Sequence, residues 1–195
     1  MLSFTLSAAV TRIHRLRPKA HAYMSETMPA SNQTVRVFHC DQSPELPLPV
    51  KVLLNRSYPH WRFPEVSEED CQIVKENGGP DAHPELIKGD FNDDGLADYA
   101  VLIEQDAEAN DRGVMRPLII RIVAFFRNRD GYRMQEVTGE GGGCLQLMPK
   151  GGRDFDYEAQ RDFTYQHETI FSGFGMGGTS YLYENGKFRA IITSD

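Results

Sequence analysis

The second half of the chain alternates short apolar runs with turn dipeptides, and this pattern constrains the fold more than any other feature. β-Branched and aromatic residues are frequent in residues 99–104, 118–126, 132–137, 179–183 and 188–193. Asp130-Gly131 and Asn185-Gly186 stand between neighbouring runs, and such pairs suit the turns of β-hairpins. We therefore predict a meander of hairpins, a mainly antiparallel sheet in which consecutive strands pair.

Two short helices are predicted ahead of these strands. The first is indicated by apolar residues at helical spacing between two prolines, namely Pro49, Val50, Leu53, Leu54, Tyr58 and Pro59. Ser67 followed by three acidic residues is typical of a second helix N-terminus, and Asn77-Gly78 is expected to end that helix. The predicted fold class is α+β, with the helices near the start covering one face of the sheet.

Charge is distributed unevenly along the chain and sets its first residues apart. The 195 residues include 21 Lys and Arg against 28 Asp and Glu, a formal net charge of −7. Residues 1–23 contain four basic residues and no acidic one. We expect residues 1–45 to be a poorly structured extension and lead-in, and residues 46–195 to be a single domain. Three interpretations of residues 1–23 stay open: a disordered tail, an over-long start, or a segment like a transit peptide. A secretory signal would place its basic residues before its apolar stretch, and here the order is reversed.

The same composition excludes several classes of protein. An acidic chain is a poor binder of nucleic acid, whose affinity comes from basic contacts to phosphates. No apolar run approaches the roughly 18 residues expected of a membrane span. Cys40, Cys71 and Cys144 allow at most one disulfide, so the chain is not a disulfide scaffold.

Residues 90–98, called the acidic loop below, have the donor spacing of a calcium site. Counting Asp90 as position 1, oxygens fall at positions 1, 3, 5, 7 and 9, supplied by Asp90, Asn92, Asp94, the carbonyl of Leu96, and Asp98. Gly95 at position 6 permits the sharp turn. With waters, or a bidentate Asp98, these donors reach the 6 to 8 oxygens that Ca²⁺ prefers, and the lack of nearby Cys or His disfavours zinc and copper.

The acidic loop differs from an EF-hand at position 12, where Val101 replaces the usual Glu. Val101 lies inside an apolar run that reads as a buried strand, so a strand-loop-strand calcium site is predicted. The alternative is an ordinary hairpin loop made of good turn residues.

Residues 86–104 resemble the FG-GAP or VCBS-type repeat, the calcium-loop unit of integrin-like β-propellers and many bacterial surface proteins. The resemblance implies that Asp90, Asn92, Asp94, the Leu96 carbonyl and Asp98 hold Ca²⁺. A propeller needs several blades, and the chain has a single such loop, so a full propeller is excluded. What remains is similar to small single-copy bacterial proteins that are often exported; this resemblance favours a periplasmic or secreted location, but residues 1–23 do not form a convincing signal peptide, so the location stays open.

Other patterns carry less chemistry. Gly173, Gly175 and Gly178 match a dinucleotide-binding motif, but residues 179–183 read as a strand where that motif needs a helix. Trp61 either stacks on a sugar or, more commonly for a large ring, anchors the core.

Two functions therefore compete. The favoured one is a non-enzymatic binding or interaction module with a structural calcium ion and an unidentified protein or glycan partner. The alternative is a small hydrolase that uses Cys144 with His167, or the acidic residues Asp154, Asp156 and Glu158, on a calcium-braced scaffold. If these residues have no catalytic role, we expect Cys144 to be a small buried residue and the three acidic residues to form the solvated face of a strand.

Overall fold

The computed structural model describes residues 43–105, 119–138, 143–174 and 177–194. These residues belong to one compact unit of the chain. They form two helices and ten strands: α1 (Leu48–Ser57), α2 (Glu68–Gly78), β1 (Leu86–Gly89), β2 (Asp98–Gln105), β3 (Ile119–Asn128), β4 (Gly131–Thr138), β5 (Cys144–Met148), β6 (Arg153–Asp156), β7 (Arg161–Thr164), β8 (Thr169–Phe174), β9 (Gly177–Glu184) and β10 (Lys187–Ser194). The extension predicted over residues 1–45 lies outside the described residues, apart from its last three.

The strands pair in three antiparallel sheets. The first sheet has the order β1-β2-β3-β4, the second sheet has the order β10-β9-β8-β5, and β6 and β7 form a small hairpin. The α+β class, mainly antiparallel strands with two helices near the start, is confirmed, and none of the described sheets closes into a barrel or propeller. A simple meander is wrong in one place: β5 pairs with β8, so the β6–β7 hairpin lies between two paired strands.

Local sequence explains where the helices begin and end. Pro49 occupies the first turn of α1, where it costs no hydrogen bond. The Ser67 side chain accepts a hydrogen bond from the Asp70 N–H at 3.1 Å and so caps α2 as predicted. α2 ends at Gly78, as predicted, and is capped by Gly79, whose φ of +93° is left-handed.

The first sheet is buried on both faces. Towards α1, the alternate residues Val101, Ile103, Val123 and Phe125 pack with Val50 and Leu54. Towards the second sheet, Ala100, Leu102, Ile122, Ala124 and Phe126 pack with Leu145, Ile170 and Tyr181. The molecule therefore has three layers, a helix, the first sheet and the second sheet. The sequence predicted a helix over one face but not a second sheet over the other.

Gly89, at the end of β1, lies against Leu147 of the second sheet and Phe91 of the acidic loop. A Cβ atom at this position would come within 2.7 Å of the Leu147 Cδ1 atom and within 2.9 Å of the Phe91 ring. Real Cβ contacts are longer, so a side chain at this position forces its neighbours to move.

We expect Gly89→Ala to lower the free energy of unfolding by about 1–3 kcal/mol, the usual cost of overpacking a core. Gly177→Ala is the matched control, since a Cβ atom there meets no atom within 4 Å. Urea denaturation of both variants measures the difference. An equal effect of the two substitutions would contradict the close packing at Gly89.

Candidate metal centre

The acidic loop joins the paired ends of β1 and β2. Gly89 pairs with Asp98 at its base, so the loop is the turn of a long hairpin. Asp93 and Gly95 adopt left-handed backbone angles, with φ of +59° and +79°. Gly95 does so at no steric cost, as its predicted role requires.

Side chains at the first positions of the loop bond to its own backbone. The Asp90 carboxylate accepts hydrogen bonds from the Asp94 N–H at 3.0 Å and the Gly95 N–H at 2.8 Å. Asp94 accepts one from the Leu96 N–H at 2.8 Å, and the Asn92 amide donates to its other oxygen at 2.9 Å. These bonds hold the side chains of positions 1 and 5 on the amides of residues 94–96, and the Asn92 side chain joins position 3 to position 5.

Asp98, at position 9, is fully buried and links the loop to the first sheet. Its carboxylate accepts hydrogen bonds from the Phe91 N–H at 3.1 Å and from the Arg127 N–H, near the end of β3, at 2.8 Å. Burial, with smaller contributions from the negative charges of Asp94 and Asp90, raises the pKa of Asp98 to about 6, although the hydrogen bonds from the Arg127 and Phe91 amides act to lower it. The three carboxylates therefore lie close enough to repel one another.

In the part of the chain that the structure describes, no group of three or more His, Cys, Asp or Glu side chains is gathered as a metal centre. In this structure the Asp90, Asp94 and Asp98 carboxylates accept hydrogen bonds from backbone amides. A carboxylate oxygen has two lone pairs, so an oxygen that accepts one N–H can also bind a cation. The donor set is all oxygen, the ligand type that Ca²⁺ prefers.

Two contacts to the acidic loop come from the second half of the chain and were not predicted. Glu168 accepts a hydrogen bond from the Asp90 N–H at 2.6 Å across 78 residues. The Lys150 ammonium lies 2.6 Å from an Asp93 carboxylate oxygen and lowers the pKa of that carboxyl. No sequence spacing could reveal these contacts, because they depend on how the second sheet packs.

The structure does not support pairing of Cys144 with His167. Cys144 lies opposite Gly173 and Met148 opposite Thr169, so Cys144 and Thr169 are at opposite ends of the β5–β8 ladder, about 13 Å apart along the strands. His167 lies beyond the Thr169 end. Burial raises the pKa of the Cys144 thiol to about 12, with smaller contributions from the charges of Asp70 and Glu85; a nucleophilic cysteine has a lowered pKa.

The other proposed catalytic acids have structural partners or lie in a turn. Asp154 accepts a hydrogen bond from the Tyr165 hydroxyl at 2.5 Å, and the buried Asp156 accepts bonds from the Glu158 and Ala159 amides at 3.1 and 2.8 Å. β6 ends at Asp156 and residues 157–160 form a turn. The prediction of one strand with an acidic face through Glu158 is therefore wrong, because Asp156 caps a turn.

Two weaker patterns resolve as structural features. Trp61 is half-buried against Phe63, with ring centroids 5.3 Å apart, and its Nε1–H donates to Asn55; this is the core role. Residues 179–183 lie within β9, so the strand predicted after the glycine motif is confirmed.

The two cysteines in the described residues differ. Cys71 is disulfide-bonded, whereas Cys144 is a free, buried thiol.

Because its pKa is raised and its side chain is 4 % exposed, Cys144 should resist alkylation in the native protein. We expect iodoacetamide at about pH 8 to label Cys144 far more slowly in buffer than in urea, since only the thiolate reacts. Mass spectrometry of the Cys144 peptide measures both rates. Rapid labelling of the native protein would contradict the burial and revive a nucleophilic role.

Comparisons with known proteins add no relatives: no family model, curated protein or solved structure matches the chain. Within the described residues, neither helix is long and apolar enough to cross a membrane. The likeness of the acidic loop to the FG-GAP or VCBS-type repeat therefore depends on the motif itself.

Proposed function

We propose that the protein is a calcium-binding module without catalytic activity, which holds Ca²⁺ in the acidic loop and binds another protein or a glycan. The observation that carries the proposal is the arrangement of Asp90, Asp94 and Asp98. Hydrogen bonds hold Asp90 on the amides of residues 94 and 95 and Asp94 on the amide of Leu96, while burial, with smaller contributions from these two charges, raises the pKa of Asp98. A cation is the simplest means of relieving repulsion among these carboxylates.

The calcium ligands are assigned from the motif. Asp90, Asn92, Asp94 and Asp98 would supply side-chain oxygens and Leu96 its carbonyl, with waters completing the shell. Two observations support this assignment. The loop resembles the FG-GAP or VCBS-type calcium loop, and it connects two paired strands, β1 and β2. The role of the ion is structural, because Asp98 begins a strand that is buried on both faces.

Catalysis is not part of the proposal because neither proposed set of catalytic residues has suitable geometry. Cys144 lies at the end of the β5–β8 ladder away from His167, and Asp154 and Asp156 accept structural hydrogen bonds from Tyr165 and from the turn after β6. The net charge of −7 further favours a partner other than nucleic acid.

Asp94→Asn tests the calcium site with little change in shape. Its amide oxygen can still accept the Leu96 N–H, but one negative charge is lost. We expect calcium affinity to fall by tenfold or more, which corresponds to about 1.4 kcal/mol or more, while the melting temperature in chelator changes little or rises as repulsion is relieved.

The matched control is Asp162→Asn, which removes the same charge from an exposed position on β7. Isothermal titration calorimetry should show wild-type calcium affinity for this control.

The wild-type protein should have a higher melting temperature in calcium than in chelator, because bound calcium adds about 2.7 kcal/mol of stability when the free ion is 100-fold above Kd. Identical melts at millimolar calcium would show that the loop is only a turn.

Calcium should bind more tightly than magnesium. The loop offers oxygens in an irregular cage, whereas Mg²⁺ demands a near-ideal octahedron and keeps its waters. Calorimetric titrations of the apo protein with each chloride salt measure the ratio. Equal affinities would count against a dedicated calcium loop.

A further inference from the structure

Two side chains from the second half of the chain reach the acidic loop at different positions. Glu168 lies in the connection that leads into β8, and its Oε2 accepts the hydrogen bond from the Asp90 N–H at 2.6 Å. Lys150 lies between β5 and β6 and contacts both Asp93 oxygens, at 2.6 and 2.7 Å. Glu168 therefore contacts position 1, a candidate ligand, whereas Lys150 contacts position 4, which is not one.

These two contacts also differ in their surroundings. The Lys150–Asp93 pair is about half exposed, with side-chain exposures of 54 % and 55 %, and such pairs contribute little. The Glu168–Asp90 bond is partly buried, and its acceptor is charged, which strengthens it. Beside it, a Cβ atom on Gly89 would lie 3.0 Å from the Glu168 Oε2 atom and 2.7 Å from the Leu147 Cδ1 atom. The backbone there has little room to shift.

We propose that Glu168 is a positioning residue for the metal centre: it fixes the backbone of Asp90 from the connection into β8 and is not itself a ligand. This inference depends on the proposed calcium site. Asp90 organises the loop by accepting hydrogen bonds from the Asp94 and Gly95 amides. A displacement of Asp90 therefore disturbs positions 1 and 5 together, and partners that orient a metal ligand typically change affinity by about 10- to 100-fold.

Three variants separate positioning from general packing. Glu168→Ala removes the acceptor and should weaken calcium binding by about tenfold or more. Glu168→Gln keeps an oxygen that can accept the Asp90 N–H and should stay within a few-fold of wild type. Lys150→Met removes the other contact to the loop, and its calcium affinity should not fall, because Asp93 is not a candidate ligand. Calorimetry with CaCl₂ measures affinity, and melting in chelator verifies folding.

Each outcome bears on the inference. Wild-type affinity in Glu168→Ala would overturn it and leave the calcium site standing. An equal loss in all three variants would also overturn it, since any lost contact to the loop would then suffice. Wild-type protein that binds no calcium would overturn the proposed site and this inference with it. Should Glu168→Ala not fold, Glu168→Asp, which withdraws the carboxylate by one methylene, takes its place with the same expected loss.

Discussion

Burial of the first sheet on both faces is the constraint on which the rest of the structure depends. Val101 and Ile103 of β2 pack towards α1, while Ala100 and Leu102 pack towards the second sheet. A one-residue shift of such a strand would exchange its two faces, so that Val101 and Ile103 would take the places of Ala100 and Leu102 and both cores would have to repack. The register of β2 is therefore strongly specified, and the position of its first residue, Asp98, follows from it.

Asp98 connects the buried first sheet to the acidic loop. It is a buried carboxylate, and burial of a charge costs free energy unless hydrogen bonds offset it. The Phe91 and Arg127 amides supply those bonds, one from the loop and one from near the end of β3. The same side chain thus closes the loop and joins it to the neighbouring strand. In the proposed site, an ion bound here would stabilise a junction and not merely a surface turn.

Contacts from the second half of the chain complete the surroundings of the loop. Glu168 and Lys150 are provided by connections beside β8 and β5, and Gly89 leaves the space in which Leu147 and Phe91 pack. These contacts join residues far apart in sequence, so the shape of the loop depends on the assembly of both sheets. If the proposed site binds calcium, its calcium affinity therefore depends on how the two sheets pack together.

By itself, the sequence determined the features that depend on neighbouring residues: the Ser67 cap, the strands around Asp130-Gly131 and Asn185-Gly186, and the left-handed turn at Gly95. Their causes are local, in hydrogen bonds and allowed backbone angles. Only the tertiary structure decided that β5 pairs with β8, that Cys144 and His167 lie apart, and that Glu168 bonds to Asp90. These depend on which apolar faces bury one another, and the periodicity of a strand shows that it has such a face without showing which face will cover it.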